Sequence, residues 1–463
     1  MTTPSAQGVV ESHPKRWLAL AFLGTAQFML ILDVTVVAIA LPLMETDLGL
    51  SREAVTWVVT AYTVAFGGLM LLGGRSADLF GAKPVVFTGL TAFVAGSLAA
   101  GLADGETTLI AGRIAQGIGA ALLSPAALSV VVRLFDDDDE RNRALGIWSA
   151  LGGGGAAVGV LLGGVISAGP GWPWVFFINV PVGAIVVIGL VRVLPSLPPQ
   201  RATRAAVDFL GAILVTSATG LAIYALINAG EVGWTAPRTL AIAGSAAVLY
   251  LLFGWRQSAT KSPLMDLSLL GRRPVFSGVF VLGIATALMV AVFFLGTFYF
   301  QQFAGYGPLA TGLLFLPIAV ATMTGAQLAG RLVGKFGARS LGVIGMAVGA
   351  IGLLIPALWA TTVSTTVGIS FGALGIGMLF VVASVTALGN VAPDEAGIAS
   401  GLLSTFHEIG ASVGVATVSS VAAVSLSGGG DAGFKQAFLV AAIGAIVAAV
   451  IASFAIPGRQ RSQ

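Results

Sequence analysis

Apolar runs long enough to cross a bilayer follow one another along almost the whole chain, separated by short polar breaks. A hydrocarbon core about 30 Å thick takes about 20 mostly apolar residues in helical form. At that length, residues 17–43, 53–73, 85–103, 107–132, 143–168, 174–194, 208–228, 237–255, 275–302, 309–330, 340–360, 365–389, 396–425 and 434–456 are predicted membrane helices, fourteen in all. The first run begins after Lys15 and Arg16 and reaches about Pro42. It outruns the 7–15-residue apolar segment of a secretory signal, and no small-residue cleavage site follows, so a retained helix is expected.

Two of the polar breaks nearly repeat each other. GRSADLFGAK occupies residues 74–83 and GRLVGKFGAR occupies 330–339. Five of the ten positions are identical, and the last exchanges Lys83 for Arg339. Each copy follows an even-numbered span, so both are expected on one side of the membrane. Spans 1–6 and 9–14 then form two similar halves, with spans 7–8 inserted between them. The expected organisation is a tail (1–16), a six-helix bundle (17–194), a linker with two inserted helices (195–273), a second six-helix bundle (274–456) and a closing tail (457–463). Parallel six-helix repeats are a recurrent transporter plan, with the substrate site near the midplane between the halves. An enzyme has no general need for such a repeat.

Charge sets the orientation. With a cytoplasmic amino terminus, the Lys and Arg residues gather on the cytoplasmic side, including Lys15, Arg16, Arg75, Lys83, Arg141, Arg143, Arg272, Arg273, Arg331, Lys335 and Arg339. Arg52, Arg238 and Lys435 fall outside, and Arg113 sits within a span. This asymmetry favours an even helix count with both termini cytoplasmic. Composition agrees: 57% of residues are hydrophobic and 9% charged, against about 25% charged in a soluble chain. The chain has no Cys and only two His, His13 and His407, which excludes disulfides and makes a metal site improbable. No phosphate-cradling loop is present, so ATP hydrolysis is not expected. The acidic run at 136–140 lacks the spaced oxygen ligands of a calcium loop and reads as a helix-starting turn. Residues 194–208 read as a cytoplasmic linker.

Three charged side chains lie well inside spans, away from their ends: Asp33 in the first, Arg113 in the fourth and Glu408 in the thirteenth. A charge at that depth is costly and faces a cavity or a partner. Asp33 is a candidate proton carrier, the alternative being a packing carboxyl bonded to hydroxyls. Arg113 cannot lose its proton and needs a carboxylate or carbonyls nearby; Arg113, Gln116, Gly117 and Ala120 share one helical face. Gly401, Ser404, Thr405, Glu408 and Ser412 form a polar stripe, so Glu408 is a second candidate proton or cation site. His407 points about 100° away from it on the helix. Tyr224, Tyr299, Gln302, Gln327 and Thr405, with Gln116, are candidate cavity-lining groups; each could equally serve as a structural hydrogen bonder. The chain's 63 Gly concentrate within spans, most densely at Gly152–Gly155, Gly159, Gly163 and Gly164. There small residues let helices approach closely, for packing or for motion.

Five stretches carry a family resemblance: GRSADLFGAK, with Gly74, Asp78, Gly81 and Lys83; LDVTVVAIALP at 32–42; RIAQGIGAALLSP at 113–125; Gly155, Gly159, Gly163 and Gly164; and WPWVFFINVPVG at 172–183. In this order and spacing the chain resembles the major facilitator superfamily, and most closely its fourteen-helix drug:proton antiporter branch, over nearly its whole length. It departs from that pattern at Leu79, where the family places a basic residue. In the second copy Gly334 replaces the Asp and Lys335 is basic, and Val160 stands where a Pro is usual. The resemblance implies an all-α membrane protein of two six-helix bundles plus two inserted helices, with both termini cytoplasmic. It implies export of hydrophobic, cationic or amphiphilic drugs from a bacterial plasma membrane in exchange for protons. No cofactor beyond the proton, no enzymatic activity and no nucleic-acid partner are implied, and a monomer in the lipid bilayer is expected. Asp33, Arg113 and Glu408 would couple protons. Gly74, Arg75, Asp78, Gly81, Lys83, Arg331, Lys335 and Arg339, with Gly155, Gly159, Gly163 and Gly164, would serve the conformational gate. Export of one metabolite is an alternative, and the weaker antiport signal at Val160 leaves a facilitative or uptake carrier as another.

Overall fold

The two ten-residue polar breaks form the same joint twice. In the computed structural model, which describes residues 14–135, 137–195, 208–260, 263–264, 267–389, 391, 396–426 and 430–458, Gly81 has φ 92° and ψ 141°, and Gly337, its counterpart, has φ 80° and ψ 155°. A Cβ is disfavoured at such φ, so glycine permits the helix to break and restart there. The basic residue two positions later has one task in both copies. Lys83 Nζ donates to the Leu194 carbonyl at 2.6 Å, and Arg339 Nε donates to the Ser453 carbonyl at 2.5 Å. Each cation meets a helix carboxyl end, where carbonyls are unpaired and the dipole is negative.

The regular elements of the described residues are helical. The first half comprises α1 (Arg16–Leu48), α2 (Arg52–Phe80), α3 (Ala82–Gly101), α4 (Glu106–Leu134), α5 (Asp138–Ala168), short α6 (Trp174–Phe177) and α7 (Asn179–Val193). An inserted hairpin follows, α8 (Phe209–Val232) and α9 (Pro237–Ala259). Short α10 (Leu267–Gly271) leads to the second half. There α11 (Arg273–Phe298) runs into a π-helical turn (Tyr299–Phe303), followed by α12 (Pro308–Leu358), α13 (Thr362–Leu388), α14 (Ala396–Val421), short α15 (Ala423–Leu426) and α16 (Ala432–Ala455). Among the described residues eleven helices are long and apolar enough to cross a membrane. One is α12, whose 51 residues would reach about 75 Å if straight, more than twice a bilayer core. It bends at Gly337.

Local chemistry starts these helices where the polar breaks fall. Ser51 Oγ accepts from Ala54 N at 3.1 Å at the start of α2. Asp137, within the acidic run, accepts from Glu140 N at 2.9 Å and caps α5. Thr361 and Ser364 cap α13 reciprocally. Pro sits in the first turn of α9, α11 and α12, where a missing N–H costs nothing. The linker expected at 194–208 lies mostly outside the described residues.

Alternating helix direction puts both joints, the start of α1 and the end of α16 on one face, called here the terminal face; the opposite face is distal. Contacts between helix ends agree. Arg16 pairs with Glu140 at 2.7 Å on the terminal face, while Trp172 Nε1 donates to Asp47 Oδ2 at 2.7 Å on the distal face. The halves are joined distally. Gln301 Nε2 donates to the Ile39 carbonyl at 2.8 Å, Gln302 donates to Glu45, and Arg52 donates to the Ser419 carbonyl at 3.3 Å. The apolar interior follows this division. One buried cluster, including Leu23, Leu30, Phe93 and Leu123, lies within the first half. The other runs from the distal ends of α1 and α2 (Leu41, Val55) into the second half. The inserted α8 lies along the α2–α14 seam, where Val64, Ile223, Ile227 and Ala416 pack together.

Candidate functional site

Asp33 and Arg113 meet inside the first half. Asp33 is 2% exposed and Arg113 is 1% exposed. Asp33 Oδ2 accepts from Arg113 Nη1. Asp33 Oδ1 accepts from Gln116 Nε2 at 2.8 Å and from Asn179 Nδ2 at 3.1 Å. The same two amides donate to Ser97 Oγ, at 2.8 and 3.2 Å. Arg113 also donates Nε to the Val58 carbonyl and Nη1 to Gln116 Oε1, both at 2.8 Å. The Tyr62 ring lies 4.4 Å from its Cζ.

An ion pair so far from water survives only if hydrogen bonds replace most of the lost hydration. Here α1, α2, α3, α4 and α7 each contribute a group. Gln116 follows Arg113 by three residues, which stacks both on one face of α4. Close helix contact completes the cluster. A Cβ on Gly96 would stand 2.6 Å from Gln116 N, and one on Gly117 would stand 2.5 Å from the Tyr62 carbonyl. Larger residues there would move Ser97 and Tyr62 away from Arg113 and Gln116.

Glu408 occupies a different setting, on α14 against α2. It is 9% exposed, and no hydrogen bond or ion pair reaches its carboxyl among the described residues. A Cβ on Gly67 would lie 2.5 Å from Glu408 Cβ. Thr63 and Ser412 hydroxyls meet at 2.5 Å, and Thr56 and Ser419 at 2.6 Å. Each step along α2 is matched by an equal, opposite step along α14, so the two helices form one antiparallel seam between the halves. Thr405 is 1% exposed and its hydroxyl has no partner. His407 faces elsewhere: its Nδ1 lies 3.0 Å from Thr286 Oγ1 on α11, and its ring lies near Phe380 on α13.

Most of the other expected cavity groups have local partners. Tyr224 Oη accepts from Arg238 at 2.6 Å on the inserted hairpin. Tyr299, 2% exposed, donates to the Ala360 carbonyl at 2.7 Å. Gln302 joins Glu45 at the distal rim. Gln327 is exposed on α12. Only Gln116 and Thr405 stand beside the charged candidates. An apolar cavity of about 320 Å³ lies apart from them, between the terminal turns of α1 and α5, with Trp17, Phe28 and Leu151 among its walls.

The expected gate residues divide by position. Arg75 and Arg133 lie within electrostatic reach of Asp78 on the terminal face. Gly74 lies near Pro125. Lys83 and Arg339 cap helix ends within their own halves. Arg331 is exposed, and Lys335 Nζ lies 5.4 Å from the Phe336 ring. Gly155, Gly159 and Gly163 face α1, whereas Gly164 meets Pro308 across the halves. Val160 is fully buried at that same crossing, its carbonyl 2.6 Å from where a Gly312 Cβ would sit.

Three members of the cluster were not singled out from sequence. Asn179 stands within WPWVFFINVPVG as a lone amide in an apolar helix, and that was its signal. Ser97 lies among small residues and carried none. Tyr62, within TAYTVAFGG, reads as an ordinary interior aromatic.

A family model described as Major Facilitator Superfamily matches residues 23–415 and 319–463. The chain belongs to the major facilitator superfamily. This facilitator is 35% identical over 418 residues to the puromycin resistance protein pur8 of Streptomyces alboniger, covering 88% of this chain and 82% of that protein. It is 34% identical over 417 residues to the cephamycin export protein CmcT of Amycolatopsis lactamdurans, covering 89% and 86%. Among solved structures, a bacterial homologue of the human lysosomal transporter Spinster, inward-facing and unoccupied, superposes with a TM-score of 0.67 at 15% identity, covering 96% and 98%. That likeness concerns the fold. The facilitator is thus an all-helical, multi-pass membrane protein whose relatives are antibiotic resistance and export proteins.

Proposed function

We propose that this facilitator exports hydrophobic, cationic or amphiphilic compounds, antibiotics among them, in exchange for protons. The observation that carries the reading is the Asp33–Arg113 pair. It is a charged group able to gain and lose a proton, held away from water in one of two halves that meet along a seam. No general packing need requires that, since an apolar pair of the same volume is often as stable. When Asp33 takes up a proton the pair loses its attraction, and the five helices it joins are free to shift relative to the second half. Glu408, at the seam itself, is the second proton site. The proton is the coupling ion, and no cofactor takes part.

The membrane arrangement follows the same reading. Eleven candidate helices, plus one for the division of α12 at Gly337, plus α5 and α14, make fourteen spans. The terminal face carries Arg75, Lys83, Arg272, Arg273, Arg331 and Arg339. An excess of basic residues marks the cytoplasmic side, so both termini are cytoplasmic and the closed distal face is external. The location is a bacterial plasma membrane, with the monomer as the working unit.

The test is efflux from energised inside-out vesicles. Ethidium and puromycin transport should depend on an imposed proton gradient, and Asp33→Asn should abolish that dependence while the protein still inserts. Transport that ignores collapse of the gradient, or an Asp33→Asn variant that still couples, would sink the proposal. A narrow exporter of one compound is the second reading, favoured because relatives are named for single antibiotics. Growth protection against one drug of a broad panel would select it.

A further inference from the structure

We propose that the groove between the terminal ends of α1 and α5 holds one acyl chain of a membrane phospholipid, whose phosphate is bound by Arg143. The groove, about 320 Å³ in volume, is lined by Trp17, Ala21, Thr25 and Phe28 of α1 and by Ile147 and Leu151 of α5, among others. Its polar wall group, Thr25, spends its hydroxyl on the Ala21 carbonyl of its own helix, 2.8 Å away. What faces the groove is therefore apolar. Beyond Phe28 the two helices close on each other. A Cβ on Gly155 would stand 2.7 Å from Ile31 Cγ2, one on Gly159 1.8 Å from Thr35 Oγ1, and one on Gly163 3.0 Å from Val36 Cα.

The groove opens toward lipid. Leu18, Ala21 and Thr25 are exposed on α1. On α5, Ile147, Val158 and Val165 are exposed and share one helical face. Val160 and Gly164, which meet the second half, are turned away from it. From Trp17 to Phe28 the helix rises about 16 Å, about half of a 30 Å hydrocarbon core. An extended acyl chain in one leaflet matches that length. Charge decides which amphiphile fits. Arg143 lies one turn from Ile147, and its Cζ is 5.3 Å from the Trp17 ring at the mouth of the groove. Arg143 is exposed, and no carboxylate pairs with it among the described residues. Of the acids that open α5, Glu140 is held by Arg16 at 2.7 Å and Asp137 caps the helix. A guanidinium at the mouth repels a cationic cargo and matches the oxygens of a phosphate. Trp17 beside it suits the headgroup level of a bilayer. The occupant is thus lipid, not cargo, whichever way the protein transports.

The test uses the full chain, purified in detergent and stripped of lipid. Native mass spectrometry follows its titration with dioleoyl phosphatidylglycerol. One molecule should bind ahead of the rest. Arg143→Gln should raise its apparent Kd about tenfold, the size of one hydrogen bond to a charged group. Ala21→Trp and Ile147→Trp fill the groove from its two walls and should each abolish that binding. Leu18→Trp, on the exposed side of α1 but outside the groove, should leave it unchanged. Dioleoylglycerol, with the same chains and no phosphate, should bind the wild type no better than phosphatidylglycerol binds Arg143→Gln. Wild-type helicity by circular dichroism is required of each variant, and because the two fillers sit on different helices either one alone decides. Binding that survives a folded filler, or equal binding of the phosphate-free lipid, overturns the proposal. One-for-one displacement of the lipid by ethidium would make the groove a cargo subsite and overturns it as well.

Discussion

Neutralising one member of the Asp33–Arg113 pair should cost about as much as neutralising both. The side chains are 0% and 1% exposed, so neither charge has water to fall back on. Removing one partner of a buried pair costs about 3–5 kcal/mol, because the other charge is left uncompensated. In Asp33→Asn, Arg113 keeps the Val58 carbonyl, Gln116 Oε1 and the Tyr62 ring; the ring alone is worth about 2 kcal/mol when desolvated. The lower end of the range, about 3 kcal/mol, is expected. In Arg113→Gln, Asp33 keeps the Gln116 and Asn179 amides, and a similar loss of about 3 kcal/mol is expected. The double variant buries no charge and should lose about 3 kcal/mol or less, whereas independent losses would sum to about 6 kcal/mol. Thermal unfolding of the purified variants, followed by the fluorescence of the eight Trp residues, measures the difference. Losses that add to within about 0.5 kcal/mol would refute the reasoning, since uncoupled sites behave that way.

Two further outcomes are expected. Burial works to raise the Asp208 carboxyl, but the Gly211 N–H, Arg256 and Gln257 together hold it below the ordinary carboxylate range. A group depressed in the folded state contributes fully above its unfolded pKa, about 4, and the contribution is lost as pH falls through the folded value. Amide exchange in the α8–α9 hairpin, corrected for intrinsic rates, should stay flat down to about pH 5 and quicken below about pH 4. Asp208→Asn should remove that step; a step that persists would assign it to another group. At the seam, Gly67→Ala places a Cβ 2.5 Å from Glu408 Cβ and should part α2 from α14, separating Thr63 from Ser412. The chain has no Cys, so a single Ser412→Cys reports alone. Its labelling by an impermeant maleimide should be several-fold faster with Gly67→Ala, and equal rates would show that the seam absorbs the extra carbon elsewhere.

Asp33, Arg113 and Gln116 were visible in the sequence because a polar group inside an apolar run has no local use. Ser97 and Tyr62 were not, because a small hydroxyl in a Gly-rich helix and an aromatic in an apolar one are what packing alone would place there. Tyr224, Tyr299 and Gln302 show the converse. Polarity near a span end looks the same in sequence whether the side chain lines a pathway or bonds a neighbouring carbonyl, and their partners at Arg238, Ala360 and Glu45 are local or at the rim. The predicted span at 174–194 is one helical run, Trp174–Val193, with Ile178 in helical conformation, and Asn179 sits within its distal part.

The sequence by itself determined that this chain lives in lipid, where its helices begin and end, and that one helix–Gly–helix joint occurs twice. Those features depend on forces acting along a few adjacent residues: apolar transfer, capping, and the φ that only glycine accepts. Which helices touch, and at what register, was decided by the tertiary structure alone. The pairing of Asp33 with Arg113, and of Gly67 with Glu408, joins positions 80 and more residues apart. Contact at that range depends on how closely whole helix faces approach, which no short window of residues contains.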